Sequence, residues 1–131
     1  MNAAATEVVL RIPGRREYVM VLRTALGGAA FVNNLSVEDM DDLRTAADEA
    51  CECLLHQGRR VQALEMRLKD QGPTMTLSLG AEFCPGEGEP CDDQLEISRA
   101  VLETLVPEVR LYQHGSGCVD RIELTFAKTV Q

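Results

Sequence analysis

The chain has 131 residues, 45% of them hydrophobic, enough for one compact domain with one core and too few for two ordinary ones. A formal charge of −8, with thirteen Lys and Arg scattered along the sequence, excludes the clustered basic surface that nucleic-acid phosphates require. No apolar run approaches the roughly 20 residues that span a bilayer, and MNAAATE lacks the basic and apolar regions of a signal peptide, so a soluble, cytoplasmic protein with no membrane or nucleic-acid partner is expected.

The first six residues carry no structural pattern and are expected to be disordered. Residues 7–12 alternate, with Val8, Leu10 and Ile12 on one side, and predict a short strand ending at Pro13-Gly14. Between Glu17 and Val32, apolar Val19, Leu22, Leu26, Ala29 and Ala30 recur at helical spacing. Asn33-Asn34 breaks this helix, and Ser36 offers an N-cap for a second one with Glu38 and Asp39 in its positive first turn. That helix is expected from Val37 to about His56, with Met40, Leu43, Ala46 or Ala47, Ala50 and Leu54 inward and Gly58 as the stop.

After Arg59-Arg60 the period becomes two. Ala63, Glu65 and Arg67 alternate with Leu64, Met66 and Leu68, Asp70-Gln71-Gly72 makes a turn, and Met75, Leu77 and Leu79 return as the hairpin partner. Residues 84–93, CPGEGEPCDD, read as a loop, with Asp92 or Asp93 placed to cap a third helix. Leu95, Ala100, Val101, Leu102 and Leu105 are that helix's apolar positions, and Pro107 closes it. Val109 to Tyr112, the Gly115-Ser116-Gly117 turn, and Ile122, Leu124 and Phe126 predict a final hairpin. Grouped rather than alternating helices imply an α+β two-layer sandwich: a mixed or antiparallel sheet covered on one face by about three helices, forming a single domain over residues 1–131.

The odd number of cysteines (Cys51, Cys53, Cys84, Cys91, Cys118) reads as reduced thiols rather than a disulfide framework. Cys51 and Cys53 diverge by about 200° on a helix, and Cys84 and Cys91 lack a zinc-ligand spacing, so no metal site is expected from them. His56 and His114, near a helix end and a turn, and the acidic run from Glu87 to Asp93 read as surface features.

Residues 49–53, Glu-Ala-Cys-Glu-Cys, resemble the E-A-C-T-N of the serine kinases that act as anti-sigma factors, within the histidine-kinase, gyrase and Hsp90-like ATPase group. Ile12-Pro13, Tyr18-Val19 with Arg23, and Leu102 to Leu105 with Glu108-Val109 match in the same order, so the resemblance runs from about Leu10 to Lys128. It implies a histidine-kinase-like ATPase fold, a site for ATP and magnesium, sigma-factor or antagonist partners, and a homodimer formed through the first helix and a sheet edge, with Val19, Leu22, Leu26 and Ala29 as a candidate interface, although the same residues serve equally well as core.

The resemblance fails at individual site positions. Glu49 matches the helix carboxylate and would be the catalytic base. Cys53 stands where the Asn oxygen ligates magnesium, a cation that takes hard oxygen donors rather than a thiol. The D-x-G motif aligns with Ala81-Glu82-Phe83, losing the adenine acceptor and the glycine unless Glu82 turns inward by a register shift. The G-L-G-L motif aligns with Glu96-Ile97-Ser98-Arg99, setting a carboxylate where a triphosphate would approach, and the lid between them, residues 84–94, is shortened and acidic. Losing a charged hydrogen bond to the base costs about 1.5 to 3 kcal/mol, and every 1.4 kcal/mol is tenfold in affinity. The expected function is therefore an anti-sigma-factor-like regulator that binds proteins with weak or absent ATP binding. The alternatives are an active serine/threonine kinase using Glu49 with Glu52 or Glu82 replacing the lost ligand, and a ligand-sensing domain whose pocket, bordered by Ala81 and Phe83, takes something other than ATP.

Overall fold

The computed structural model describes residues 6–86, 95–113 and 117–128. Five strands, β1 (Thr6–Pro13), β2 (Val61–Asp70), β3 (Thr74–Phe83), β4 (Glu108–Gln113) and β5 (Val119–Ala127), form one sheet in the order β1-β2-β3-β5-β4. Every neighbouring pair is antiparallel. Three α-helices, α1 (Val19–Val32), α2 (Val37–Leu55) and α3 (Leu95–Leu105), complete an α+β architecture, and a 3-10 turn at Arg16–Tyr18 leads into α1. Thr6, the last residue of the segment expected to be disordered, pairs with Asp70.

Strand alternation decides which side chains meet the helices. Leu64, Met66 and Leu68 on β2, Met75, Leu77 and Leu79 on β3, and Ile122, Leu124 and Phe126 on β5 are buried in one cluster with the helices. The intervening positions, among them Arg67, Ser78 and Glu123, form the polar open face.

On α2, Leu43, Ala46, Ala47, Ala50, Cys51 and Leu54 are buried, a stripe slim enough for the helix to lie close against the sheet. Ser36 caps it: its hydroxyl accepts the Asp39 N–H at 3.1 Å. After the helix, Gly58 adopts φ 88°, the left-handed conformation in which glycine avoids a side-chain clash.

One open choice is decided and two expectations change. Leu22, Leu26 and Ala30 of α1 are buried, with Val19 and Ala29 packed on the same core, so of the two roles open to this stripe it takes that of core. The outward face of α1 is itself apolar: Met20, Val21, Phe31 and Val32 are exposed, the last two at 76%. On α3 only Leu102 is fully buried, with Leu95 and Leu105 packed beside it, while Ala100 and Val101 face out because α3 meets α2 and β4 along a narrow line. Finally, Cys51, Cys53 and Cys84 are free thiols as expected, but buried Cys118 is disulfide-bonded. An odd cysteine count leaves room for such a pair. Asp92 and Asp93, His114 and most of the acidic loop lie outside the described residues.

Candidate functional site

The C-terminal half of α2 and the first turns of α3 enclose a cleft of about 220 Å3 lined by Glu49, Glu52, Cys53, His56, Gln57, Leu95 and Ser98. Helical spacing places Glu49, Glu52, Cys53 and His56 on one face of α2, since residues three and four apart are neighbours there. Three of the seven residues singled out from sequence, Glu49, Cys53 and Ser98, therefore meet.

The carboxylates differ in what they touch. Glu52 is engaged by Arg16 at 3.3 Å and by the His56 ring Nε2 at 3.0 Å. Glu49 is half-buried and, among the described residues, makes no hydrogen bond or ion pair. It is the uncommitted carboxylate of the cleft. Burial pushes the Cys53 thiol up from its ordinary pKa; the neighbouring Ser98 hydroxyl counters this in part, and the Glu49 charge adds to the rise. Cys53 therefore faces the cleft as a neutral thiol at neutral pH.

Magnesium takes an array of hard oxygens. Of the two carboxylates here, one is held by Arg16 and His56, and the next position along the helix is a protonated sulfur. Among the described residues no three His, Cys, Asp or Glu side chains converge to hold a metal ion. Ligand pockets commonly enclose about 300–1,000 Å3, more than this cleft does. This donor set and this volume do not fit a magnesium–triphosphate.

Four residues aligned with the site lie elsewhere. Glu82 points from the open face of the sheet, where its carboxylate meets Arg11 at 2.6 Å. The irregularity in this strand pair falls between Val61 and Ala63, and no shift on β3 turns Glu82 inward. Ala81 packs against the core and Phe83 carries the Arg59 guanidinium 4.8 Å from its ring centre; neither lines the cleft. Glu96 is exposed on a different side of α3, with Arg99 and Glu103.

Sequence reading missed Gln57. It is 4% exposed, donates Nε2–H to the Val119 carbonyl at 2.6 Å and accepts the Val119 N–H at 2.7 Å. This two-way bond pins the end of α2 to the start of β5 and fixes the floor of the cleft. No local signal identifies it, because its partners are backbone groups on a distant strand.

A helix-layered antiparallel sheet with a carboxylate-bearing cleft on its second helix defines a protein of the histidine-kinase-like ATPase fold class. A solved structure of RsbU and RsbW domains from Mycobacterium tuberculosis superimposes on 96% of this chain with a TM-score of 0.71 at 18% identity; the chain spans 33% of that longer one. Among curated proteins, it is 30% identical over 139 residues to a serine-protein kinase RsbW of Bacillus licheniformis, covering 89% of this chain and 84% of that protein. The RsbW of Bacillus subtilis is 25% identical over 137 residues, covering 91% and 86%. The chain belongs to the family of the serine-protein kinase RsbW. No family model matches it.

Proposed function

We propose that this protein is an anti-sigma-factor-like regulator of a bacterial partner-switching system that acts in the cytoplasm by binding proteins, a sigma factor or an antagonist, with weak or absent ATP binding. The observation that carries the reading is Cys53: a neutral, half-buried thiol against Ser98, at the place where the family resemblance calls for a magnesium ligand. Family membership supplies the regulatory context. The whole chain acts as one domain, and the exposed apolar face of α1, Met20, Val21, Phe31 and Val32, is where a second copy would dock.

A second reading, an active serine/threonine kinase with a divergent site, is favoured by Glu49, which keeps a free carboxylate in the cleft. Calorimetry with ATP and magnesium on the natural protein and on Cys53→Asn separates the two. The proposal expects no heat in the micromolar range from the natural protein and binding gained in the variant. Magnesium-dependent micromolar binding by the natural protein would overturn it and call for a phosphotransfer assay. Sedimentation of Phe31→Glu tests the dimer: the variant should be monomeric at concentrations where the natural chain is not.

A further inference from the structure

Six of the thirteen Lys and Arg of this acidic chain are spent internally among the described residues. Arg11, Arg16, Arg23, Arg67, Arg110 and Lys128 each hold a carboxylate. Of those that form no ion pair among the described residues, Arg15, Arg59 and Arg60 come together in one groove of about 510 Å3 beyond the end of α2, floored by Gly14 and Gly58. Among the described residues no Asp or Glu lines it, in a protein with 21 of them.

The groove is held open by backbone bonds. Gly14 N–H donates to the Gln62 carbonyl at 3.0 Å, and Cys84 N–H donates to the Arg60 carbonyl at 2.8 Å, so the segments carrying Arg15 and Arg60 are tied to the start of β2 and the end of β3. A side chain at Gly14 would collide with the Val61 carbonyl, so this floor is backbone only. Arg59 lies over the Phe83 ring, an arrangement that orients the guanidinium and leaves its edge N–H groups available. The three guanidiniums donate to no protein acceptor among the described residues.

We propose that Arg15, Arg59 and Arg60 form an oxyanion site for a terminal phosphate group. A phosphate dianion offers three oxygens and about −1.5 to −2 charge to the guanidiniums of one groove, whereas a carboxylate offers two oxygens and −1. A nucleotide tail and a phosphorylated serine side chain share this chemistry. The site lies on the far side of His56 from the α2–α3 cleft and does not depend on whether that cleft takes ATP.

The test is a titration followed by amide NMR at low ionic strength with two probes: ATP without magnesium and N-acetyl-O-phosphoserine amide. The expected result is movement of the Gly14 and Gly58 amides, with Arg15→Gln/Arg60→Gln weakening binding at least tenfold and Lys69→Gln, the loss of one charge outside the groove, leaving it within twofold. Phosphoserine binding as tightly as ATP assigns the groove to a side-chain phosphate; ATP binding tenfold tighter assigns it to a nucleotide tail. Gly14 and Gly58 unmoved by millimolar probe, or the double variant and Lys69→Gln losing equally, would overturn the proposal. A separate titration with ATP and magnesium, read at Cys53 and Ser98, reports on the cleft alone and separates failure of the reading above from failure of this one.

Discussion

Gln57 and Val119 exchange two hydrogen bonds, at 2.6 and 2.7 Å, in the manner of two paired strand residues, although one partner is a side-chain amide. The pair is buried, so both backbone groups of Val119 depend on Gln57. Gln57→Leu keeps the volume but leaves the Val119 N–H and carbonyl without partners, and each buried unpaired group costs about 1 to 3 kcal/mol. Urea unfolding should show a loss of about 2 kcal/mol or more with an unchanged denaturant slope. A loss below about 0.5 kcal/mol would mean that water replaces the amide and that the clamp is not structural.

Gly14 makes a second demand on the backbone. A Cβ there would stand 2.2 Å from the Val61 carbonyl oxygen, a backbone atom that cannot rotate away. Gly14→Ala is expected to destabilise by about 1 to 3 kcal/mol, the usual range for overpacking, by forcing β1 and β2 apart. Gly72→Ala is the contrast. It meets no atom within 4 Å but must adopt φ 92°, so its cost is conformational alone. Thermal midpoints of the two variants should rank natural, Gly72→Ala, Gly14→Ala.

Asp70 carries the clearest acid-side prediction. Lys128 lies 2.6 Å from its carboxylate, with both side chains about one-fifth exposed. The Lys128 hydrogen bond, helped by the Gly72 N–H, holds the Asp70 pKa below its ordinary value against the opposing effect of burial. A lowered folded-state pKa contributes stability that is present above the unfolded pKa near 4 and lost as pH falls through the folded value. Asp70→Asn should therefore cost about 1 kcal/mol at pH 7 and less at pH 2. Equal costs at both values would assign the effect to the turn geometry and not to the charge.

Much of this arrangement is legible in the sequence because it follows from local rules. The period-two runs at Leu64 to Leu68 and Met75 to Leu79 set the inner face of the sheet, and the same alternation keeps Glu82 on the outside with Arg11. Ser36 declares the start of α2 through its cap to Asp39. The meeting of Glu49 with Cys53 follows from one turn of helix. The rest depends on contacts between segments far apart in the chain. Ser98 reaches the cleft only because α3 crosses α2, Gln57 reads as a surface residue after a helix until Val119 arrives from 62 residues away, and Arg15 and Arg60 belong to different loops. The apolar residues of α1 and α3 show the limit most plainly. Periodicity finds a stripe, but Val101 lies outside the packed line and Phe31 on the opposite face, and only the neighbouring elements decide which apolar residues they cover.

Cys51 supplies an alkaline counterpart to Asp70. Its side chain is buried under α2, and burial first, then the charges of Asp48 and Glu52, push its thiol up to about 12. The unfolded thiol titrates near 8.5. A raised folded-state pKa means that the folded protein holds its proton more tightly, so the contribution to stability is complete below about pH 8 and is lost as pH rises from there toward the folded value. Urea midpoints between pH 7 and pH 10.5 should accordingly fall, and the fall should be shallower in Cys51→Ala, which removes the titrating group at the expense of a small cavity. The same burial predicts that Cys51 resists alkylation at pH 8 until the protein unfolds, because only about one molecule in ten thousand would carry the thiolate. Parallel pH slopes in the two proteins, together with rapid native-state labelling of Cys51, would show that α2 opens far more readily than its packing against β3 and β5 implies.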